Sequence, residues 1–183
     1  MAAPVFGRPD AAAAGKLHVL SAGAPADVER VRPLLDAIGQ SLWHLGDAPE
    51  RANVVKIAGN FMIGSAIETL GEAAALARAH GVPAKDLFDV MTGTLFSAPI
   101  YKTYGALVAE RRYEPAAFGL SLGFKDTRLT LAAAEDAHVP MPIASILRDG
   151  FLDALAHGEA ELDWSALAEG ASRRANLGGR SVP

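Results

Sequence analysis

Lys56 and Asn60 have the residue types and the spacing for proton chemistry. Four residues apart on a helix, they face the same way, and the row continues apolar through Ile63, Gly64, Ile67 and Leu70. An ammonium at the head of such a stripe either stays in solvent, as most lysines do, or leans into a pocket. In the second case it can donate to a reacting oxygen while the amide orients it or the substrate. Partial burial beside Ile63 and Ile67 would suit it to that transfer.

Two further groups of residues invite chemistry. In GFKDTRL, Lys125 and Asp126 are either surface charges on a helix or a cation able to reach an anionic ligand beside a carboxylate that pairs with Arg128 or a neighbouring helix. In APVFGRP, Phe6, Gly7 and Arg8 form either a plain exit from a strand or a ligand site at the carboxyl end of a sheet strand. There Arg8 would clamp a carboxylate at two points. The five histidines, His18, His44, His80, His138 and His157, have no metal-ligand spacing, so no metal site is expected. His44, after Trp43, is expected to pack rather than catalyse. No Gly-x-Gly-x-x-Gly, P-loop or Gly-x-Ser-x-Gly motif occurs. Tyr101, Tyr104, Phe96 and Trp164 read most simply as core or interface residues, although an aromatic row can also wall a substrate pocket.

Composition narrows the function classes. The absence of cysteine excludes disulfides, thiolate metal sites and a cysteine nucleophile. A net charge of −4 without a basic tract argues against nucleic acid or an anionic membrane as main partner. No apolar run approaches a membrane span, and no leader layout opens the chain. The expectation is a soluble, cytoplasmic protein, and 183 residues with 50% hydrophobic content can build a core without staples.

The elements that must position these residues divide near Gly46. Residues 1–46 read as strand (2–6), short helix from Pro9, strand (16–23), helix (25–38) and strand (40–45), a parallel or mixed α/β arrangement. Pro33 is expected to kink or re-start the second helix. Three short strands make a poor sheet alone, so the segment is expected to be the back end of a larger α/β domain whose earlier strands are absent. Residues 47–183 read as all-helical. The first helix runs from an Asp47 cap to a stop at Gly81, with Pro49 in its first turn and Glu50 completing a capping box. It should span about 45 Å, long enough to cross between layers or subunits. Helices follow over 83–91, 98–111, 118–137 and 142–157, then a sixth capped by Asp163, and a mobile tail from Asn176.

In this order the pieces resemble the β-hydroxyacid dehydrogenase family, which includes 3-hydroxyisobutyrate dehydrogenases, glyoxylate/succinic semialdehyde reductases and imine reductases. AAPVFGRPDAAAAGKL is similar to the family's substrate-binding strand and turn, VVKIAGNFM to its catalytic helix, FKDTRL to its Lys-Asp motif and VPMPI to the segment that closes that helix. The resemblance implies a mainly α fold: a helical domain of the 6-phosphogluconate dehydrogenase C-terminal type (47–183) after a remnant of a Rossmann domain (1–46). It implies an NAD(P)-dependent oxidoreductase in which hydride passes between nicotinamide and a small hydroxyacid or carbonyl substrate. Lys56 would be the catalytic residue; Phe6, Gly7, Arg8 and Asn60 would bind substrate; Lys125 and Asp126 would bind NAD or NADP. A homodimer through the long helix is also implied.

Three features depart from the family pattern. The glycine fingerprint is absent, so the principal dinucleotide half is expected to lie outside this chain, which would not be competent alone. Phe6 and Arg8 stand where Ser and Gly are usual, pointing away from the best-known small hydroxyacids. Gly46-Asp47-Ala48-Pro49 replaces the usual glycine pair. Lys56 itself argues against imine reduction, in which that position is commonly not Lys. The alternative reading is a non-catalytic helical dimerisation module.

Overall fold

The computed structural model describes residues 1–178. The chain forms two compact units, Met1–Gly59 and one that begins at Asn60. Among the described residues there are eight α-helices, one 3-10 turn and a three-stranded sheet, the mainly helical fold with a small α/β portion that the sequence implies.

In the first unit, β1 (Val5–Phe6) lies antiparallel to β2 (Leu17–Ser21), and β2 lies parallel to β3 (Gly39–His44). The sheet is therefore mixed. Two prolines at helix N-termini set the helices between the strands: Pro9 opens α1 (Pro9–Ala13) and Pro25 opens α2 (Pro25–Ile38). Both sit where a missing N–H costs no intrahelical bond. Helix α2 contributes Val28 and Leu35 to the interior, alongside Leu17 and Val19 of β2. The helix does not re-start at Pro33. That proline is exposed, and the carbonyl deprived of its N–H partner can bind water instead.

The long helix, α3 (Glu50–Ala79), is continuous over 30 residues. It starts at Glu50, which puts the cap position at Pro49 and leaves Asp47 two residues too early; the Arg51 N–H instead donates to the Ala48 carbonyl at 3.1 Å. Gly81 at φ +76 ends it as expected, with the Val82 N–H donating back to the Ala77 carbonyl at 2.9 Å.

In the second unit, Ile67, Leu70 and Ala74 of α3 pack with Phe88 of α4 (Ala84–Gly93) and with Tyr104, Leu107 and Val108 of α5 (Pro99–Glu110). The same core takes in Leu120 of α6 (Leu120–Asp136) and Leu147 and Phe151 of α7 (Pro142–Ala156). Trp164 opens the 3-10 turn Trp164–Ala168, which runs into α8 (Glu169–Arg174). Its indole N–H donates to the Tyr104 hydroxyl at 2.8 Å, so both rings are core with their polar atoms satisfied.

Asp163 caps that turn, as its position before Trp164 suggests. One carboxylate oxygen accepts from the Ser165 N–H at 3.0 Å and hydroxyl at 2.6 Å; the other accepts from the N–H groups of Ala117 and Phe118. The cap thus also fixes the loop before α6. Helix α8 is held by charge: Arg173 donates to Glu159 at 2.7 Å and to Asp153 at 2.8 Å, and Arg174 to Glu68 at 3.1 Å. Burial pushes the Glu159 and Glu68 carboxyls up, and these arginines only partly offset it. The start of the tail is tied down, since Leu177 N–H donates to Ser172 O and Gly178 O accepts from Arg111. The rest of the segment expected to be mobile, residues 179–183, lies outside the described residues.

Candidate functional site

Within the first unit the structure brings together Phe6 and Lys56. Phe6 ends β1, where pairing with His18 of β2 fixes its backbone, and its ring packs against the cluster of Leu20, Ala22 and Ala52. Lys56 lies in the second turn of α3, half-buried, with Nζ 4.4 Å from the centroid of the Phe6 ring. An ammonium over a phenyl face is attracted by the ring quadrupole, by about 0.5–1 kcal/mol at partly exposed sites. The side chain is therefore held rather than freely solvated.

Gly59 makes this approach possible. It stands three residues after Lys56, on the same side of α3, and a Cβ there would lie 2.4 Å from Phe6 Cζ. Only a residue without a side chain leaves room for the ring. The clue in the sequence was a glycine inside an otherwise strong helix, directly before Asn60, and sequence reasoning passed it over.

Gly7 and Arg8 follow Phe6 at the turn into α1. Gly7 has φ +145, and a Cβ there would come within 2.5 Å of Leu17 Cδ2, so both backbone and space demand glycine. Arg8 is half-buried and its carbonyl accepts from Ala12 N–H at 3.0 Å, which makes it the residue that opens α1.

Within the second unit the structure brings together Asn60, Asp126 and Lys125. Asn60 is 6% exposed and its Nδ2 donates to Asp126 Oδ2 at 2.6 Å. Asp126, 9% exposed, uses its other oxygen to pair with Lys125 Nζ at 3.0 Å. Its backbone carbonyl accepts from the Thr130 hydroxyl at 3.0 Å. A charge-assisted bond of this length fixes the orientation of the Asn60 amide. The Lys125 side chain remains 59% exposed, and Arg128 lies over the Phe124 ring instead of pairing with Asp126.

Elsewhere, His44 is exposed rather than packed, 3.5 Å from the Ser21 hydroxyl, and Trp43 beside it is 61% exposed. The outer position of β3 turns that strand end to solvent. Among the described residues no group of three or more His, Cys, Asp or Glu could hold a metal ion, and no helix is long and apolar enough to cross a membrane. As to a dinucleotide, its phosphates need a cation or a cradle of N–H groups. The 183 residues hold no glycine-rich fingerprint, whereas the tethered, outward Lys125 ammonium fits one phosphate or ribose contact.

The family model described as NAD-binding of NADP-dependent 3-hydroxyisobutyrate dehydrogenase matches residues 51–170, well over half of the chain. The chain belongs to that family. A second model, the NAD binding domain of 6-phosphogluconate dehydrogenase, matches residues 1–46. Relatives of this 3-hydroxyisobutyrate dehydrogenase-like chain include an uncharacterised oxidoreductase of Bacillus subtilis, 38% identical over 91% of this chain and 58% of its own length. Glyoxylate/succinic semialdehyde reductase 1 of Arabidopsis thaliana is 32% identical over 91% of this chain and 57% of its own length. The crystal structure of 3-hydroxyisobutyrate dehydrogenase from Salmonella typhimurium superposes with a TM-score of 0.83 at 29% identity, covering 91% of this chain and 58% of that one. The chain thus spans about half to three-fifths of the length of the relatives it matches.

Proposed function

We propose that this chain is the substrate-facing and helical portion of an NAD(P)-dependent oxidoreductase acting on a small hydroxyacid or carbonyl compound. When bound, NAD or NADP supplies or accepts the hydride. Lys56 gives the proton to the carbonyl oxygen in reduction, or takes it from the hydroxyl in oxidation. Asn60, one helical turn on, orients that oxygen or its carrier, and Arg8 at the turn after β1 engages an anionic group of the substrate. Phe6 and Gly7 form the wall beside it, and Lys125 with Asp126 meets the dinucleotide. The observation that supports this reading best is that Lys56 is half-buried, with its ammonium held on the face of Phe6. The family match over residues 51–170 supports the reaction class.

The principal dinucleotide half is proposed to be separate from these 183 residues, since the sequence has no glycine fingerprint. Titration of NADPH against the chain alone is therefore expected to show no saturable micromolar binding. The reaction is tested in a chimera joining this chain to the part of the Bacillus subtilis relative that it does not match. Lys56→Met should lower kcat by about 10²–10⁴, the usual range for a general acid–base group. A kcat unchanged by that substitution would remove Lys56 from the chemistry. The working protein is further proposed to be a cytoplasmic homodimer paired through α3.

A further inference from the structure

Phe6 is held on three sides. Its backbone is paired to His18, one side of the ring meets the Leu20, Ala22 and Ala52 cluster, and its edge enters the gap at Gly59. The ring therefore cannot swing away from α3 without losing all three contacts. Lys56 Nζ lies 4.4 Å from its centroid, so a flexible four-carbon stem ends on a rigid π surface. Such a surface does two things to an amine. It narrows the volume the nitrogen explores, and it favours the charged ammonium over the neutral amine, which has no comparable attraction to the quadrupole.

We propose that Phe6 is the positioning residue for Lys56, its ring seated in the Gly59 gap and holding the ammonium where the reacting oxygen is to be met. This rests on the reading of Lys56 as the proton carrier. In reduction the dinucleotide, when bound, would supply a hydride to the carbonyl carbon, and the C=O π pair would move to oxygen. One ammonium proton passes to that oxygen, giving the alcohol, and the neutral amine regains a proton from water.

The test separates ring electronics from ring shape. Phe6 is replaced by 2,6-difluorophenylalanine, which leaves the ring tip in the Gly59 gap unchanged and weakens the quadrupole, and in a separate variant by Leu. The rate of lysine acylation is read residue by residue by mass spectrometry in the 183-residue chain, with Lys102 and Lys125 as internal references. At Lys56 it should rise about twofold on fluorination and at least as far with Leu, while Lys102 and Lys125 stay near their parent values. In the chimera, fluorination should lower kcat for reduction with little change in KM.

A flat acylation rate across the series overturns the proposal, as does an equal rise at all lysines or an unchanged kcat. The underlying function is judged separately by Lys56→Met. Acylation that follows fluorination while Lys56→Met keeps full turnover would leave the ring–ammonium contact real and the catalytic reading wrong. Loss of turnover with a flat series would do the reverse.

Discussion

Gly59 carries a cost that only Phe6 explains. A glycine inside a helix is worth about 0.8–1 kcal/mol less than alanine, yet a Cβ at this position would press to 2.4 Å from the Phe6 ring. Forcing it in should cost about 1–3 kcal/mol of overpacking, more than the helix gains. Gly59→Ala is therefore expected to destabilise the protein when residue 6 is Phe and to stabilise it by up to about 1 kcal/mol in a Phe6→Ala background. Urea denaturation of the four proteins of this double-mutant cycle gives the coupling directly; additive effects would show that the two residues do not meet. At this scale the sequence was half legible. Lys56 and Asn60 stood out because four residues is one helical turn, and the Lys125–Asp126 pair because both charges are adjacent. The meeting of Phe6 with Lys56, and of Asn60 with Asp126, was not visible. Each needs chain segments 50 and 66 residues apart to be brought together by packing.

Helices were legible almost to the residue where proline and glycine punctuate them. Pro25, Pro99 and Pro142 each stand at a first turn, and Gly81 ends α3. What periodicity does not encode is how charge ties one element to another. Tyr113, before α6, donates its hydroxyl to Glu169 of α8 at 2.6 Å, and Arg111 lies 3.4 Å from the same oxygen. Burial, and then the Glu169 carboxylate, push the Tyr113 phenol well above its ordinary value; Arg78 and Arg111 oppose this. The folded state thus keeps a proton that the unfolded chain loses near pH 10. Where the unfolded state binds fewer protons, stability falls as pH rises. The contribution is complete below about pH 10 and declines above it by about 1.4 kcal/mol per pH unit for one such group. Tyr113→Phe lacks the hydroxyl bond and should be less stable at pH 8. Its stability should then fall less steeply between about pH 10 and 11, so the two curves converge. Parallel curves in denaturant titrations across that range would show that Tyr113 ionises as readily in the fold as outside it.

The whole molecule has to account for the apolar surface that its own core leaves uncovered. Along α3, one side carries Ile67, Leu70 and Ala74 into the core. On another side Met62 is 68% and Leu76 is 65% exposed, with exposed Thr69 midway between them. These three positions are seven residues apart, the interval at which side chains recur along one seam of a helix packed on another helix. Scattered exposed hydrophobics need no explanation, but a row at this interval on a 30-residue helix fits a second copy of that helix. An isologous pair places the same row on both partners, and a stable interface must bury about 1,200 Å² or more. Sedimentation of the chain at micromolar concentration is therefore expected to give a dimer. The double substitution Met62→Asp with Leu76→Asp should give a monomer of unchanged helicity, because exposed positions tolerate substitution within about 0.5 kcal/mol whereas facing carboxylates in an apolar seam repel and lose their hydration. A parent chain that sediments as a monomer would sink the homodimer, and so would a double variant that remains dimeric. The first result would mean that the row serves some other partner, the second that the two copies meet on another face.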